Sequence, residues 1–391
     1  MGKHCVDLAI KNCNIILDGG VLCDGVLLIS KDKIYGYGKA GEIDIPDGCE
    51  VIDAGGKYVG PGFVDLHNHG GGGCGTFIDP VGAAEYFLSH GATSMLASPY
   101  YSLNFESMMT AIRTVKENIG AARNFRGLYM EGPYTSPEFG ANTATNPWRH
   151  GIVESEYRAL VDEAGDLAKV WVVAPERDGL EPFLRYAREV NPSVVIALGH
   201  SKALPEKIRS LGEYRPTLMT HTFNATGRSD APLGTLGVGP DEYALITDEM
   251  YCELISDSLG IHVHPEMQKL LLHAKGVDKV VLITDCADYN RKTRGEVPEK
   301  YKHVTDLNFD PFGDIAGSKL TMDVALRNVM KHTGVGISDA FKMASLNPAR
   351  AIGLDSEIGS IAIGKRADLV IVDTEVNVDT VILGGEICKF A

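Results

Sequence analysis

The sequence predicts an α/β fold, in which a (β/α)8 TIM-like barrel is joined to a small β-sandwich domain built from both termini. Three observations predict it. Eight short apolar runs alternate with amphipathic stretches through the middle of the chain. Both ends instead contain β-branched residues between frequent Gly and Asp turns. A length of 391 residues accommodates one barrel and one small domain.

The small β-domain is expected at residues 1–59 and 358–391. Segments such as DLAIKNCNIIL near the start and GSIAIGKRADLVIVD near the end are typical of short strands. Because the two ends share this pattern and the middle does not, they are expected to form one domain together.

The hydrolase barrel is expected at residues 60–357. Its eight apolar runs suit parallel strands that are covered on both faces. Intervals such as NFESMMTAIRTVKENI have the spacing of amphipathic helices. A doubly wound open sheet is the alternative architecture for the same alternation. The predicted strands are 62–67, 92–98, 126–131, 168–176, 193–200, 217–223, 250–257 and 279–285.

Composition and charge narrow the class of protein. The chain is 44% hydrophobic and 23% charged, as in soluble globular proteins. A net charge of −15 argues against nucleic acid or an anionic membrane as partner, since both attract basic surfaces. The start lacks the apolar region of a signal peptide, and no apolar run reaches the ~18 residues of a membrane span. Eight cysteines without a C-x-x-C pair favour reduced thiols in the cytoplasm.

Polar side chains stand at the ends of five of the predicted strands. In such a barrel, chemistry takes place at the carboxyl ends of the strands. Residues two apart on a strand point the same way, so His67 and His69 are both expected to face the barrel mouth. The glycines of LHNHGGGG then let the backbone turn away and approach a ligand closely. The strand-end residues are His67 and His69 on the first strand, Glu131 on the third, His200 on the fifth, His221 on the sixth and Asp285 on the eighth.

Any one of these residues is compatible with a structural role, but together they predict a metal site. Imidazole and carboxylate ligands without thiolate suit Zn²⁺, and also accommodate Fe²⁺, Co²⁺ or Mn²⁺. A bound Zn²⁺ lowers the pKa of its water to about 7, which supplies a nucleophile at neutral pH. Asp285 fits the role of general base towards that water and then of general acid towards a leaving amine. The residues therefore predict metal-assisted hydrolysis and leave the substrate open.

The motifs resemble a known family over nearly the whole chain. PGFVDLHNHGGGG, YMEGPYTSPEFGA, ALGHSKA, THTFNATG, LITD and AGSKLTMD are similar to motifs of the amidohydrolase superfamily and, within it, of the N-acetylglucosamine-6-phosphate deacetylase family. The resemblance implies a phosphorylated amino sugar as substrate, whose acetyl group is removed to give glucosamine 6-phosphate and acetate. It also implies a homodimer, since an arginine in this family reaches in from the neighbouring subunit.

The resemblance assigns roles to individual residues. The principal metal would be bound by Glu131, His200 and His221, a second metal with the help of His67 and His69, and Asp285 would be the acid and base. Substrate contacts would come from Asn142, Asn224, Ala225, Arg228 and His262.

Three departures from the family's pattern bear on the substrate. Asn142 stands where the family has His or Gln, Arg228 follows Asn224 more closely than expected, and the segment 286–315 has a different sequence. That segment is either a solvated insertion or a lid that shapes the substrate pocket. Two alternatives remain: an amidohydrolase for another N-acyl substrate (an amino-sugar phosphate, a cyclic amide or a dipeptide), and a barrel that has lost its metal and serves as a binding protein.

Overall fold

The computed structural model describes residues 6–140, 143, 146–232, 235–288 and 296–390. Twenty strands and ten α-helices alternate through these residues. The strands are β1 (Leu8–Leu17), β2 (Gly20–Ser30), β3 (Lys33–Lys39), β4 (Glu50–Asp53), β5 (Tyr58–Pro61), β6 (Phe63–Asn68), β7 (Gly70–Gly71), β8 (Cys74–Gly75), β9 (Ala92–Ala97), β10 (Phe125–Met130), β11 (Ala168–Val173), β12 (Val195–Leu198), β13 (Leu218–Met219), β14 (Tyr251–Ile255), β15 (Val280–Ile283), β16 (Leu307–Phe309), β17 (Ile315–Ser318), β18 (Leu369–Val372), β19 (Val378–Leu383) and β20 (Glu386–Ile387). The helices are α1 (Pro80–Ser89), α2 (Phe105–Asn118), α3 (Glu154–Ala164), α4 (Leu180–Val190), α5 (Pro205–Arg209), α6 (Pro240–Ile246), α7 (Pro265–Lys275), α8 (Met322–Thr333), α9 (Ile337–Phe341) and α10 (Asn347–Ala351).

Eight parallel strands form the barrel sheet, and they follow one another in chain order: β6, β9, β10, β11, β12, β13, β14 and β15. Each predicted apolar run overlaps one of these strands. The barrel prediction is therefore confirmed. The doubly wound alternative is wrong, because that fold places its first strand inside the sheet and reverses the strand order.

The first and last barrel strands meet at a seam that side chains help to close. The backbone N–H of Asp285 donates a hydrogen bond to the carbonyl oxygen of His67 at 2.9 Å. The carboxylate of Asp65 accepts hydrogen bonds from the backbone N–H of Thr284 at 3.2 Å and from its hydroxyl at 2.6 Å. Burial raises the pKa of Asp65 to about 6, although these hydrogen bonds oppose the rise. The seam fixes His67 and Asp285 next to each other.

The helices that surround the barrel follow the apolar spacing of the sequence. In α4, Leu180, Phe183, Leu184 and Ala187 recur at helical spacing and are all buried. At the start of α2, the side chain of Asn104 accepts a hydrogen bond from the backbone N–H of Ser107, which satisfies a free donor of the first turn. The apolar faces of the helices pack on the strands, so the barrel is held from outside and its carboxyl end stays open for a site.

A second, mixed sheet contains strands from both ends of the chain. Its order is β20, β19, β18, β5, β1, β2 and β3, and β4 also pairs with β1. Ile10 and Ile15 of β1, Leu27 of β2, and Leu369 and Ile371 of β18 share one apolar core. The two ends thus form one β-structure, and the residue limits of the two domains given above stay predictions.

Neither a membrane-spanning helix nor a disulfide occurs in the described part of the chain. None of its helices combines the length and the apolar character that crossing a bilayer requires. Its seven cysteines all carry free thiols.

Candidate metal and active site

The residues predicted as ligands of the principal metal lie just beyond three barrel strands. Glu131 directly follows β10, and His200 and His221 come two residues after β12 and β13. Nε2 of His200 lies 2.8 Å from Oε1 of Glu131, and Nε2 of His221 lies 3.4 Å from the same oxygen. The two Nε2 atoms are 2.9 Å apart. All three side chains are buried, and their ligand atoms converge on one point.

The remaining predicted residues form a second group beside the first. His67 lies in β6, His69 just after it, and Asp285 two residues after β15. Nε2 of His69 lies 3.2 Å, and Nε2 of His67 3.8 Å, from Oδ1 of Asp285. Glu131 connects the two groups, because its oxygens lie 3.7 Å from Nε2 of His67 and 3.5 Å from Nε2 of His69. All six predicted residues therefore lie in one cluster.

Unusual backbone conformations aim three of these side chains. His200, His221 and Asp285 have φ angles of +44°, +29° and +47°. The left-handed region is uncommon for residues other than glycine and costs of order 1–3 kcal/mol per residue. Each follows a strand by two residues, so the chain turns sharply where the strand ends. The strain is concentrated at the site, as is typical of residues held for function.

The glycines after His69 let this loop lie against the opposite side of the seam. The backbone N–H groups of His69 and Gly70 both donate to the carbonyl oxygen of Cys286, at 2.8 and 3.0 Å. A Cβ added at Gly71 would lie 2.5 Å from the Tyr86 ring, so no larger residue fits there without displacement. The run of glycines thus holds His67 and His69 against the segment that carries Asp285.

The electrostatics of the cluster favour ionised carboxyls. Burial alone would raise the pKa of Glu131, but hydrogen bonds with His200 and His221 hold it well below its usual range. Burial also acts to raise the pKa of Asp285, and the nearby imidazoles of His69 and His67 lower it. Burial acts to lower the pKa of His67, but the adjacent carboxylates of Glu253, Asp285 and Glu131 raise it to about 9. The site therefore concentrates negative charge where a cation would be bound.

The donor set fits a divalent metal ion. Nε2 of His67 and Oε2 of Glu131 are buried and have no hydrogen-bond partner among the described residues. Nε2 of His200 faces Nε2 of His221, and at most one of these atoms can carry the proton between them. Imidazole nitrogens and carboxylate oxygens that converge on one point are the ligands of Zn²⁺ and similar ions.

A cavity of about 290 Å³ opens over the cluster. This volume lies near the lower end of the ~300–1,000 Å³ typical of small-molecule sites. Glu131, His200, His221, His69 and Asp285 form its inner end. The rest of its wall is lined by Tyr100, Tyr101, Gly140, Asn224, Ala225, Ile261, His262, Asp314, Ile315, Ala316 and Gly317.

The Amidohydrolase family model matches residues 58–388, which is most of the chain. The chain belongs to the amidohydrolase family. It is a metal-dependent hydrolase.

Two curated relatives are similar to this amidohydrolase along most of its length. N-acetylgalactosamine-6-phosphate deacetylase of Escherichia coli O157:H7 is 28% identical over 361 residues, covering 88% of this chain and 91% of the relative. N-acetylglucosamine-6-phosphate deacetylase of Bacillus subtilis (strain 168) is also 28% identical, over 396 residues, covering 97% and 96%.

Solved structures agree with the fold over nearly every residue. N-acetylglucosamine-6-phosphate deacetylase from Pasteurella multocida matches with a TM-score of 0.85 at 26% identity, covering 97% of this chain and 99% of that one. A mutant of the Mycobacterium smegmatis deacetylase, in complex with N-acetyl-D-glucosamine-6-phosphate, matches with a TM-score of 0.83 at 26% identity, covering 98% and 99%.

Three of the predicted substrate residues line the cavity of the amidohydrolase. Asn224 and Ala225 lie on the loop after β13, and Ala225 has a left-handed φ of +52°. Asp241 holds this loop by accepting a hydrogen bond from the backbone N–H of Phe223 at 2.8 Å. His262 reaches the cavity from the loop after β14.

The ring of His262 is held on both sides. Nδ1 lies 2.9 Å from Oδ2 of Asp257, and Nε2 lies 3.2 Å from the carbonyl oxygen of Gly317. Burial acts to raise the pKa of Asp257, but its interactions with His262 lower it to about 2. The ring is therefore fixed at the wall of the amidohydrolase cavity, where a substrate group can meet it.

The other two predicted substrate residues are not brought to this cavity. Nε of Arg228 lies 2.7 Å from Oε1 of Glu242, and the arginine side chain is 45% exposed. It lines a separate, open groove with Lys202 and Glu206. Asn142 lies outside the described residues. Within one subunit, Arg228 therefore contacts Glu242 rather than the cavity.

Sequence reasoning missed four residues of the site. Tyr100 stacks on His69 with ring centres 3.8 Å apart, and Tyr101 packs on His200 at 4.7 Å. Both follow the second barrel strand, which ends without a titratable side chain. Asp314 belongs to the hairpin of β16 and β17, within the segment whose role was open. Glu253 lies in the middle of β14, whereas the prediction considered residues at strand ends. An acid inside an otherwise apolar strand was the sequence feature that could have identified it.

Proposed function

We propose that this amidohydrolase removes the acetyl group of N-acetylglucosamine 6-phosphate to give glucosamine 6-phosphate and acetate. One observation supports it above the others: Asn224, Ala225 and His262 line the same cavity as five of the six clustered acids and histidines. The expected amino-sugar contacts and the expected chemistry thus meet in one space. The similarity to deacetylases over nearly the full chain adds to this support.

In this proposal, Glu131, His200 and His221 hold the principal metal ion, Zn²⁺, and His67 and His69 contribute to a second ion. Such an ion supplies Lewis-acid activation of water and of the amide carbonyl. Asp285 is ionised and belongs to the second group, within 3.2 Å of Nε2 of His69, so it accepts the proton of the attacking water. A C–O bond forms as the amide C–N bond breaks, and Asp285 returns the proton to the leaving amine nitrogen.

Recognition of the sugar phosphate is assigned to the outer wall of the cavity. Asn224 and Ala225 present amide groups, and His262 presents a ring fixed by Asp257. Asn142 stays a predicted contact. A cytoplasmic location also remains part of the proposal.

A deacetylation assay on the metal-replete enzyme tests the function. N-acetylglucosamine 6-phosphate is compared with unphosphorylated N-acetylglucosamine, and Glu131→Gln is the variant that should be inactive with both. Strong turnover of the phosphorylated sugar, lost without the phosphate, is the expected result. If a fully metallated sample leaves both sugars intact and instead cleaves another amide, the substrate assignment is wrong.

N-acetylgalactosamine 6-phosphate is the second candidate substrate. The Escherichia coli relative named for that sugar is as similar as the Bacillus subtilis relative, each at 28% identity. The two sugars differ only in the configuration of one ring hydroxyl. The ratio of kcat/KM for the two phosphates, with the mannosamine epimer as a further comparison, assigns the preference.

We also propose a homodimer in which Arg228 serves the neighbouring cavity. Its exposed position and its distance from its own cavity support this. Mixing Arg228→Ala and Asp285→Asn subunits should restore about a quarter of the wild-type sites, because half of the dimers are mixed and each has one intact site. Restoration will not occur if Arg228 acts within its own subunit, and a monomer in analytical ultracentrifugation would contradict the dimer itself.

A further inference from the structure

We propose that Glu253 is a positioning residue that fixes the tautomer of His67 and connects the two groups of metal ligands. Glu253 lies in β14 and is fully buried inside the barrel. The inference rests on the metal site and not on the identity of the substrate.

The first step is the contact between Glu253 and His67. Oε2 of Glu253 lies 3.5 Å from Nδ1 of His67, a charge contact somewhat longer than a hydrogen bond. No other acceptor among the described residues reaches Nδ1. The opposite nitrogen, Nε2, faces Glu131 and Asp285. The ring therefore has one carboxylate behind it and the metal cluster in front.

This arrangement determines which nitrogen carries the proton when the ring is neutral, as it is when it binds a metal ion. A carboxylate only accepts hydrogen bonds, so it favours the tautomer with the proton on Nδ1. Nε2 then keeps its lone pair and can bind a metal ion. Metal-binding histidines commonly donate their other nitrogen to such an outer carboxylate, which orients the ring.

The orientation of the ring is fixed from a second direction. The Tyr129 ring stacks on His67, with centres 4.3 Å apart and planes 22° apart. The Tyr129 hydroxyl is itself held by Thr220 Oγ1 at 2.9 Å. Stacking limits tilting of the imidazole, whereas Glu253 favours a proton on Nδ1. The two neighbours thus have different roles.

The same glutamate oxygen also reaches the other group. Oε2 of Glu253 accepts a hydrogen bond from the backbone N–H of His221 at 3.1 Å. His221 is one of the residues with a left-handed φ, so this hydrogen bond supports a strained turn. One buried carboxylate oxygen thereby contacts a side chain of one group and the backbone of the other.

The second oxygen of Glu253 gives independent support. Oε1 is buried and has no hydrogen-bond partner within the described ranges. A buried carboxylate with an unsatisfied oxygen is costly unless a positive charge compensates it. A metal ion on the far side of His67 supplies that charge, which explains why the barrel interior retains an acid here.

Cobalt binding to the metal-free protein tests the proposal without any substrate. Apo wild type, His67→Asn and Glu253→Gln are titrated with Co²⁺ and followed by visible absorption. The phase that His67→Asn weakens should also be weaker in Glu253→Gln, by about 10- to 100-fold. Asp323→Asn is the matched control, because Asp323 is a buried acid that contacts Thr321 and Arg327 instead of the cluster. It should bind Co²⁺ like wild type.

The double variant distinguishes positioning from a general structural effect. If Glu253 acts through His67, adding Glu253→Gln to His67→Asn should weaken that phase no further, whereas independent effects would multiply. Wild-type affinity in folded Glu253→Gln, or full additivity in the double variant, would overturn the proposal. If Glu253→Gln does not fold, Glu253→Asp replaces it. Co²⁺ affinity equal to wild type in this shorter acid would also contradict the proposal, because the proposed role depends on the distance between the carboxylate and His67. Failure of the deacetylation assay would leave these titrations unaffected.

Discussion

Replacing Gly140 by Ala should disturb the metal site, and Gly19→Ala provides a closely matched control. The two glycines have nearly the same φ angle, +99° at Gly140 and +100° at Gly19. A side chain at either position therefore incurs a similar backbone strain, of order 1–3 kcal/mol. The surroundings differ: nothing lies within 4 Å of an added Cβ at Gly19, whereas at Gly140 it would lie 2.4 Å from Oη of Tyr101 and 2.7 Å from Nδ1 of His200.

The size of the effect follows from these distances. Optimal non-bonded contacts lie near ~3.5–4 Å, so the new methyl group must displace His200 or Tyr101 by about 1 Å. Overpacking of this kind adds about 1–3 kcal/mol to the loss of stability. A misplacement of about 1 Å at a reacting centre can reduce kcat/KM by about 10²-fold. Gly19→Ala should keep wild-type activity because it lies in a turn between β1 and β2.

Chemical unfolding and steady-state kinetics measure the two effects separately. The expected result is a larger loss of unfolding free energy in Gly140→Ala than in Gly19→Ala, with loss of activity in Gly140→Ala alone. Equal stability and equal activity in the two variants would refute the reasoning, because the prediction rests on the contact of Gly140→Ala with Tyr101 and His200.

Three further predictions concern single groups. Asp285→Asn should lower kcat by about 10²–10⁴-fold, as expected for a proton-transfer group. Metal analysis of this variant should still find the ion bound by Glu131, His200 and His221. Loss of that ion together with activity would make Asp285 chiefly a ligand. Because the pKa of Asp257 in the folded protein, about 2, lies below its ordinary value of 3.8, its ionised form stabilises the fold above about pH 4, and this contribution of about 2 kcal/mol is lost as the pH falls towards 2. The free energy of unfolding, measured between pH 6 and pH 2.5, should therefore fall less steeply in Asp257→Asn than in wild type. Removal of the metal with a chelator should lower the midpoint of thermal unfolding, and Zn²⁺ at about 1,000 times its Kd should restore about 4 kcal/mol of unfolding free energy. An unchanged midpoint would show that the folded state does not bind the ion.

The sequence predicted the barrel and the six clustered residues for a physical reason. The carboxyl ends of parallel strands meet at one end of a barrel, so polar residues at those ends converge wherever the helices and loops run. His67 and Asp285 are far apart in the chain, yet both could be placed by counting strands.

Site residues that do not lie at the carboxyl ends of barrel strands could not be placed in the same way. Glu253 faces the interior from mid-strand, and only the register of β14 shows that it reaches His67. Asp314 comes to the cavity through a hairpin after the last barrel strand, and hairpin placement depends on contacts that no local pattern encodes. Arg228 was assigned through resemblance, and only the structure shows its contact with Glu242.

The seam between β6 and β15 has a consequence for how the chain folds. Asp65 and Thr284, which join there, are 219 positions apart, and the barrel cannot become a closed ring until they meet. Closing so long a segment is entropically demanding and slow, so we expect this contact to form late. His67 and Asp285 lie at the same seam, which means that partly assembled barrels lack a complete active site. Hydrolytic activity should therefore appear in refolding experiments with the slowest phase, after most secondary structure has formed.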